Sequence, residues 1–177
     1  NKYGLSPKYK SVTVHLGWRS MQFSTYTLAG LSFLGGGIEY KPEKIPISVA
    51  ALYGRFAKGV PYVQTPSYKL SQPAYERWGW GTKITVGKEK NNIDFIVFKA
   101  IDDSTSVDSF PQELGIKPEE NFVIGVNTTQ KLTERITFSG EYALSAYTSD
   151  IRTNEYPFDR YTYANNLGDL YTPRVSS

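Results

Sequence analysis

Six ionisable residues fall where extended strands would turn them to a common face: Arg19, Glu39, Arg77, Lys83, Asp94 and Glu141. Charges of both signs on one side of a sheet pair across strands or line a watery interior. Their mixed signs favour neither an anion-selective nor a cation-selective surface. The carboxylates Glu39, Asp94 and Glu141 are too loosely placed to define the acid and base of a glycosidase. His15 is the only histidine and cysteine is absent, so no nitrogen or sulfur cluster exists to hold a transition metal. His15 therefore reads as a structural, inward-facing group. Asp102, Asp103 and Asp108 share the stretch "DDSTSVDSF" (102–110). Calcium favours such oxygen donors, but the spacing is not that of an EF-hand, and a solvated acidic loop is the default. "LGGGIEY" (34–40) lacks the Gly-Lys-Ser/Thr that completes a phosphate loop. No catalytic residue, metal or cofactor is assigned, and the chain is not expected to be an enzyme.

A second set is aromatic: Trp18, Tyr53, Trp78, Trp80 and Tyr142. Each sits on the apolar side of an alternating stretch. Rings with an apolar body and a polar N–H or O–H suit an interfacial belt, where hydrocarbon meets headgroups.

Both sets need strands to position them. Period-two alternation recurs over roughly 11–19, 33–40, 45–56, 77–86, 92–100, 121–129 and 135–147, and helical periods are almost absent. In "RWGWGTKITV" (77–86), Trp78, Trp80, Thr82, Ile84 and Val86 share one face, leaving Arg77, Gly79, Gly81, Lys83 and Thr85 on the other. Pairing this strand with the next across "KEKN" sets Val86, Ile84 and Thr82 beside Ile93, Phe95 and Val97, and Thr85 beside Asp94.

Short connections at 41–44, 88–91 and 130–134 alternate with long ones at 20–32, 57–74 and 102–119, with a further long stretch at 148–177. An antiparallel up-and-down order puts all the short turns at one end and all the long loops at the other. That asymmetry, with apolar and small or polar residues alternating, predicts an all-β transmembrane barrel with periplasmic turns and extracellular loops. Lumen-facing residues would be the ionisable set, and the belt would be the aromatic set. No stretch of 18 apolar residues is present, which excludes only a membrane-spanning helix.

Several phrases carry a resemblance: "SVAALYGRFAKGV" (48–60), "YERWGWGTKITVG" (75–87), "IDFIVFKAIDDSTSV" (93–107) and "PEENFVIGVNTTQKLTERITFSGEYALSAYTSDI" (118–151). Their order over roughly 30–151 resembles a family of outer-membrane β-barrel proteins from Bacteroidota-type bacteria. The resemblance implies export, outer-membrane insertion and a barrel longer than this chain, and it supplies no catalytic residue or substrate. Bacterial barrels have even strand numbers, so seven clear strands, with an eighth only weakly offered by "FDRYTYANNLGDLY" (158–171), predict a segment of a larger barrel. The expected role is a porin-like channel, a transporter wall or the anchor of a surface complex, with outer-membrane lipid and further barrel strands or chains as partners. Charge balance (+3) argues against nucleic acid. The competing expectation is a soluble extracellular β-sandwich module that binds a glycan or protein.

Overall fold

The computed structural model of the chain describes residues 3–62, 72–88, 90–108 and 110–153. Two short strands, β1 (Gly4–Leu5) and β2 (Lys8–Tyr9), precede seven long ones. These are β3 (Val12–Ser24), β4 (Leu28–Tyr40), β5 (Ile47–Ala57), β6 (Glu76–Lys88), β7 (Asn91–Asp103), β8 (Glu120–Lys131) and β9 (Thr137–Thr148). A single 3-10 turn, Gln112–Leu114, interrupts the connection between β7 and β8. β-Branched and aromatic residues fill the long strands and no proline falls inside them, as a continuous backbone ladder requires.

Each long strand pairs antiparallel with its neighbour in the chain, while β1 and β2 both run along β3. The register expected between β6 and β7 is the one observed: Val86 faces Ile93, Ile84 faces Phe95, and Thr85 faces Asp94. Closure does not occur among the described residues, outside which the weak eighth candidate, 158–171, lies. Among the described residues β9 pairs only with β8, and no ladder joins it to β3 or to the short strands. The sheet is open, which corrects the expectation of a closed transmembrane barrel or a barrel segment. Hydrocarbon offers no partner to the N–H and C=O groups of a free edge, so an open sheet is not a spanning structure. The channel, the lipid and barrel-strand partners and the outer-membrane location all rested on closure, and they fall with it.

The stretch 20–32, expected as a loop, is mostly strand. β3 and β4 continue to a tight turn at 25–27, and register shifts at Ser20/Gln22 and Gln22/Ser24 mark bulges. Bulges bend the strand that carries them. Here the hairpin tip folds over the inner face of the sheet. The Phe23 ring lies where a β-carbon on Gly81 would be, at 2.8 Å, and Thr27 Oγ1 lies 2.9 Å from the same position on Gly125. Lys83 Nζ donates to the Phe23 carbonyl (3.3 Å), and the Tyr26 N–H donates to Glu141 Oε1 (2.9 Å). One sheet thus supplies both layers of its own core. Met21, Phe23, Leu28 and Phe33 from the hairpin pack with Ala50, Leu52, Ile96, Phe98, Ala100 and Val123. Burying each larger side chain contributes roughly 1.5–3 kcal/mol.

β4 and β5 approach closely where two glycines face each other, Gly35 and Gly54. A β-carbon on Gly35 would run into the Tyr53 carbonyl and lie 2.5 Å from the Gly54 Cα, whereas one on Gly36 would meet nothing nearer than 3.8 Å. Gly35→Ala is therefore expected to cost about 1–3 kcal/mol by overpacking. Gly36→Ala, one residue away on the opposite face, should stay within about 0.5 kcal/mol of the parent. Denaturant unfolding of the two variants measures the difference.

Candidate functional site

The inner and outer faces carry different chemistry, and the sequence-predicted residues divide between them as the alternation requires. All six ionisable candidates lie on the inner face. They do not converge. Arg77 sits at the end nearest the long connections, where Nε and Nη2 donate to the two oxygens of buried Asp102 (2.6 and 2.8 Å) and Nη2 also reaches Glu119 (3.0 Å). Lys83 and Glu141 hold the hairpin tip. Asp94 accepts from the Thr85 hydroxyl at 2.6 Å. Glu39 pairs with Lys41 and lies 3.3 Å from His15 Nε2. Burial alone would raise the Glu39 carboxyl, but the hydrogen bond and charge of Lys41, with His15, hold it below the ordinary range. Arg19 stands apart beside a small pocket at the β3 edge. Apart from Arg19, these groups serve as ties within the sheet and to the hairpin tip.

The aromatic candidates lie on the outer face. The Tyr53 and Trp78 rings stack with centroids 5.5 Å apart, and the Trp78 indole N–H donates to Glu76 Oε1 (2.8 Å). Trp80 faces Tyr53 across the β5–β6 ladder, Trp18 faces Leu34, and Tyr142 is exposed on β9. With closure gone, they form no membrane belt.

Several contacts of these and other residues escaped the sequence reading. Asp102 belongs to an ion pair and not to a calcium loop. Asp103 accepts from the Thr105 N–H and hydroxyl (2.8 and 2.7 Å). Among the described residues no group of three or more His, Cys, Asp or Glu side chains could hold a metal. Lys99 and buried Glu120 pair at 2.8 Å on the outer face. Asp150 binds Arg152 through two hydrogen bonds (2.9 and 3.0 Å) beside a cavity of about 610 Å³ lined by Phe110, Gln112 and Lys117. The Arg77–Asp102 pair did have a signal, because extending the β6–β7 register to the strand ends sets those residues opposite each other.

The outer face holds the largest feature. Two apolar rows cross all seven long strands without a charge. One runs Val14, Ile38, Ala51, Thr82, Val97, Ile124, Leu144, and the other runs Val12, Tyr40, Val49, Ile84, Phe95, Val126, Tyr142. Many of these side chains are exposed, with Tyr142 at 64% and Phe95 at 50%. At one end the rows are bounded by paired charges, Arg55 with Glu76 (2.9 Å) and Lys99 with Glu120. A shallow depression of about 510 Å³ beside Tyr53 and Trp80 is floored by Gly36 and Ala51.

No protein-family model matches the chain, and no curated protein or solved structure is significantly similar to it. The resemblance to outer-membrane barrels of Bacteroidota-type bacteria gains no support from either comparison or topology.

Two expectations follow from the ion pairs. Arg77→Ala leaves the buried Asp102 carboxylate with the Glu119 N–H (3.1 Å) as its remaining partner, and should cost about 1–3 kcal/mol in denaturant unfolding. Asp150 is held below the ordinary carboxylate range chiefly by its hydrogen bond from Arg152, with burial opposing and Lys117 assisting. A depressed native value adds stability above about pH 4 that is lost as pH falls through that value. Asp150→Asn should lower the melting temperature at neutral pH and flatten its fall as the pH drops below about 4.

Proposed function

We propose that this chain is a non-catalytic β-sheet module that docks a partner protein on its outer face. The observation that carries this reading is the pair of uncharged apolar rows crossing seven strands. Folded monomers seldom leave contiguous apolar surface beyond a few hundred Å² uncovered, and larger patches mark interaction sites. The layout supports the same reading. Exposed aliphatic and aromatic side chains occupy the middle, and satisfied charge pairs sit at the rim, which is the anatomy of a protein interface. Paired rim charges exclude water and fix orientation while adding little affinity. The inner face is already filled by the hairpin, so the outer face is the surface left to bind.

The depression beside Tyr53 and Trp80 favours a second reading, a glycan site, because sugar rings stack on aromatic faces. Of the side chains lining it, only the Thr82 hydroxyl and the ring N–H and O–H are polar. Sugars need several convergent hydrogen-bonding groups, so protein is the better supported ligand.

Photo-crosslinking in the native cells tests the proposal. A photoreactive amino acid replacing Phe95 or Tyr142 is expected to give a discrete protein adduct, and one replacing the inner-face residue Ser139 is not. Adducts to lipid alone, or equal yields from both faces, would contradict it. Phe95→Ser with Leu144→Ser should remove the adduct formed at Tyr142 in cells, while thermal unfolding of the purified double variant stays within a few degrees of the parent.

A further inference from the structure

We propose that the partner on the outer face is a second copy of this chain, packed face to face so that two open sheets make one sandwich. The inference rests on the docking reading above and names its occupant. Area is the first argument. The two uncharged rows cross all seven long strands, and a third, Ile47, Val86, Ile93, Thr128 and Gly140, continues them over β5 to β9. On the other side Leu16, Gly36, Tyr53 and Trp80 extend the patch until Lys99 ends the row. With strands about 4.8 Å apart and same-face residues about 6.8 Å apart along each strand, the whole patch covers roughly 750 Å². A stable interface buries about 800 Å² on each partner. One patch lying on its own copy therefore reaches the size that a lasting dimer needs.

Charge is the second argument. Interfaces between different proteins that come apart are about as apolar as ordinary surface, whereas homodimer interfaces are more apolar. A foreign partner is selected by complementary charge, and this patch offers none. A two-fold interface sets the same surface against itself, which an uncharged patch allows with no like charges opposed. The two ends of the sheet then set the orientation. At the short-turn end Lys44, Lys88, Lys131 and Arg135 stand against Glu43 and Glu134, so that end is basic. At the long-connection end the ion pairs of Arg55, Arg77, Lys99 and Arg152 cancel. There Asp103, Asp108, Glu113 and Glu119 outnumber Lys58 and Lys117 among the described residues. A two-fold axis running across the strands sets the basic end of each copy over the acidic end of the other. An axis along the strands would oppose like ends. Ile84 lies on β6, the central long strand, and in the middle of the three rows, so it falls nearest the axis.

Sedimentation velocity of the purified chain, with photo-crosslinking from positions 84 and 86, tests the pairing. A concentration-dependent equilibrium between monomer and dimer is expected. A photoreactive residue replacing Ile84 should give an adduct of twice the chain mass. One replacing Val86, toward the basic end, should map to peptides of the other copy that hold Tyr53, Trp80 or Thr82. Ile84→Lys and Ile84→Asp should each weaken the dimer at least about a hundredfold by opposing like charges. Mixing the two variants should recover at least about tenfold, which unfolded chains cannot do. If either variant does not fold, Phe95→Ser with Leu144→Ser decides, with a loss of at least about tenfold expected. A monomer at every concentration, adducts confined to a single chain, aggregates without fixed stoichiometry, or Val86 adducts only to the basic end of the other copy would overturn the proposal. A monomer that still forms a discrete adduct with a different protein in the native cells would overturn the second copy and leave the docking reading standing. Absence of any protein adduct from the outer face would remove both.

Discussion

The packing of the β3–β4 hairpin tip onto the inner face of β6, β7 and β8 is the contact on which the other features depend. A single meandering sheet has two faces and no second layer to bury either. The bulges near Ser20 and Ser24 bend the hairpin back, and Phe23 then occupies space that a side chain at position 81 would fill. Met21, Leu28 and Phe33 follow it into the core. Without this fold-over Leu52, Ile96, Phe98 and Val123 would lie uncovered on the inner face. With it, one face is closed by the chain itself and the other is left available.

The asymmetry between the faces then becomes functional. Inner charges are consumed as structural ties: Lys83 and Glu141 hold the tip, and Arg77 and Asp102 join β6 to β7. The outer face keeps its ionisable groups in pairs at the rim and its apolar groups in continuous rows. Such a surface is costly to leave in water and gains free energy when another surface covers it.

Alternation made the strands, their order and much of their register legible. Thr85 opposite Asp94 followed from a turn length and a face assignment alone, and the same register extended outward reaches Arg77 and Asp102. The alternation of short and long connections misled at its first long stretch, since 20–32 is mostly strand closed by a tight turn at 25–27. What it could not reveal was closure. A barrel strand and a strand in an open sheet share the same period of two, and nothing local in β9 says whether its far edge meets β3. The fold-over was hidden for a related reason. "MQFSTYTL" falls in a longer connection that could extend either neighbouring strand, and nothing in it foretells the two register shifts at which the hairpin bends and buries Phe23 and Leu28. Gly79, Gly81 and Gly125 held the clue, since small residues on one face of long strands imply that something bulky lies against them. The aromatic residues were placed on the correct face for a reason that did not hold, because an exposed apolar face serves a protein partner as well as a lipid.

The contact between the hairpin tip and β8 can be tested directly, because the chain has no cysteine of its own. A β-carbon on Gly125 would lie 2.9 Å from Thr27 Oγ1, which brings cysteines at these two positions within bridging range. Thr27→Cys combined with Gly125→Cys, oxidised in dilute solution and mapped by mass spectrometry of peptides, should give an intramolecular disulfide in high yield. A pair of cysteines at Thr27 and Ser139, on the adjoining strand, should give little. Free thiols in the Thr27–Gly125 protein, or bridges only between molecules, would show that the hairpin does not fold over the sheet, and the one-sheet, two-layer architecture would be wrong.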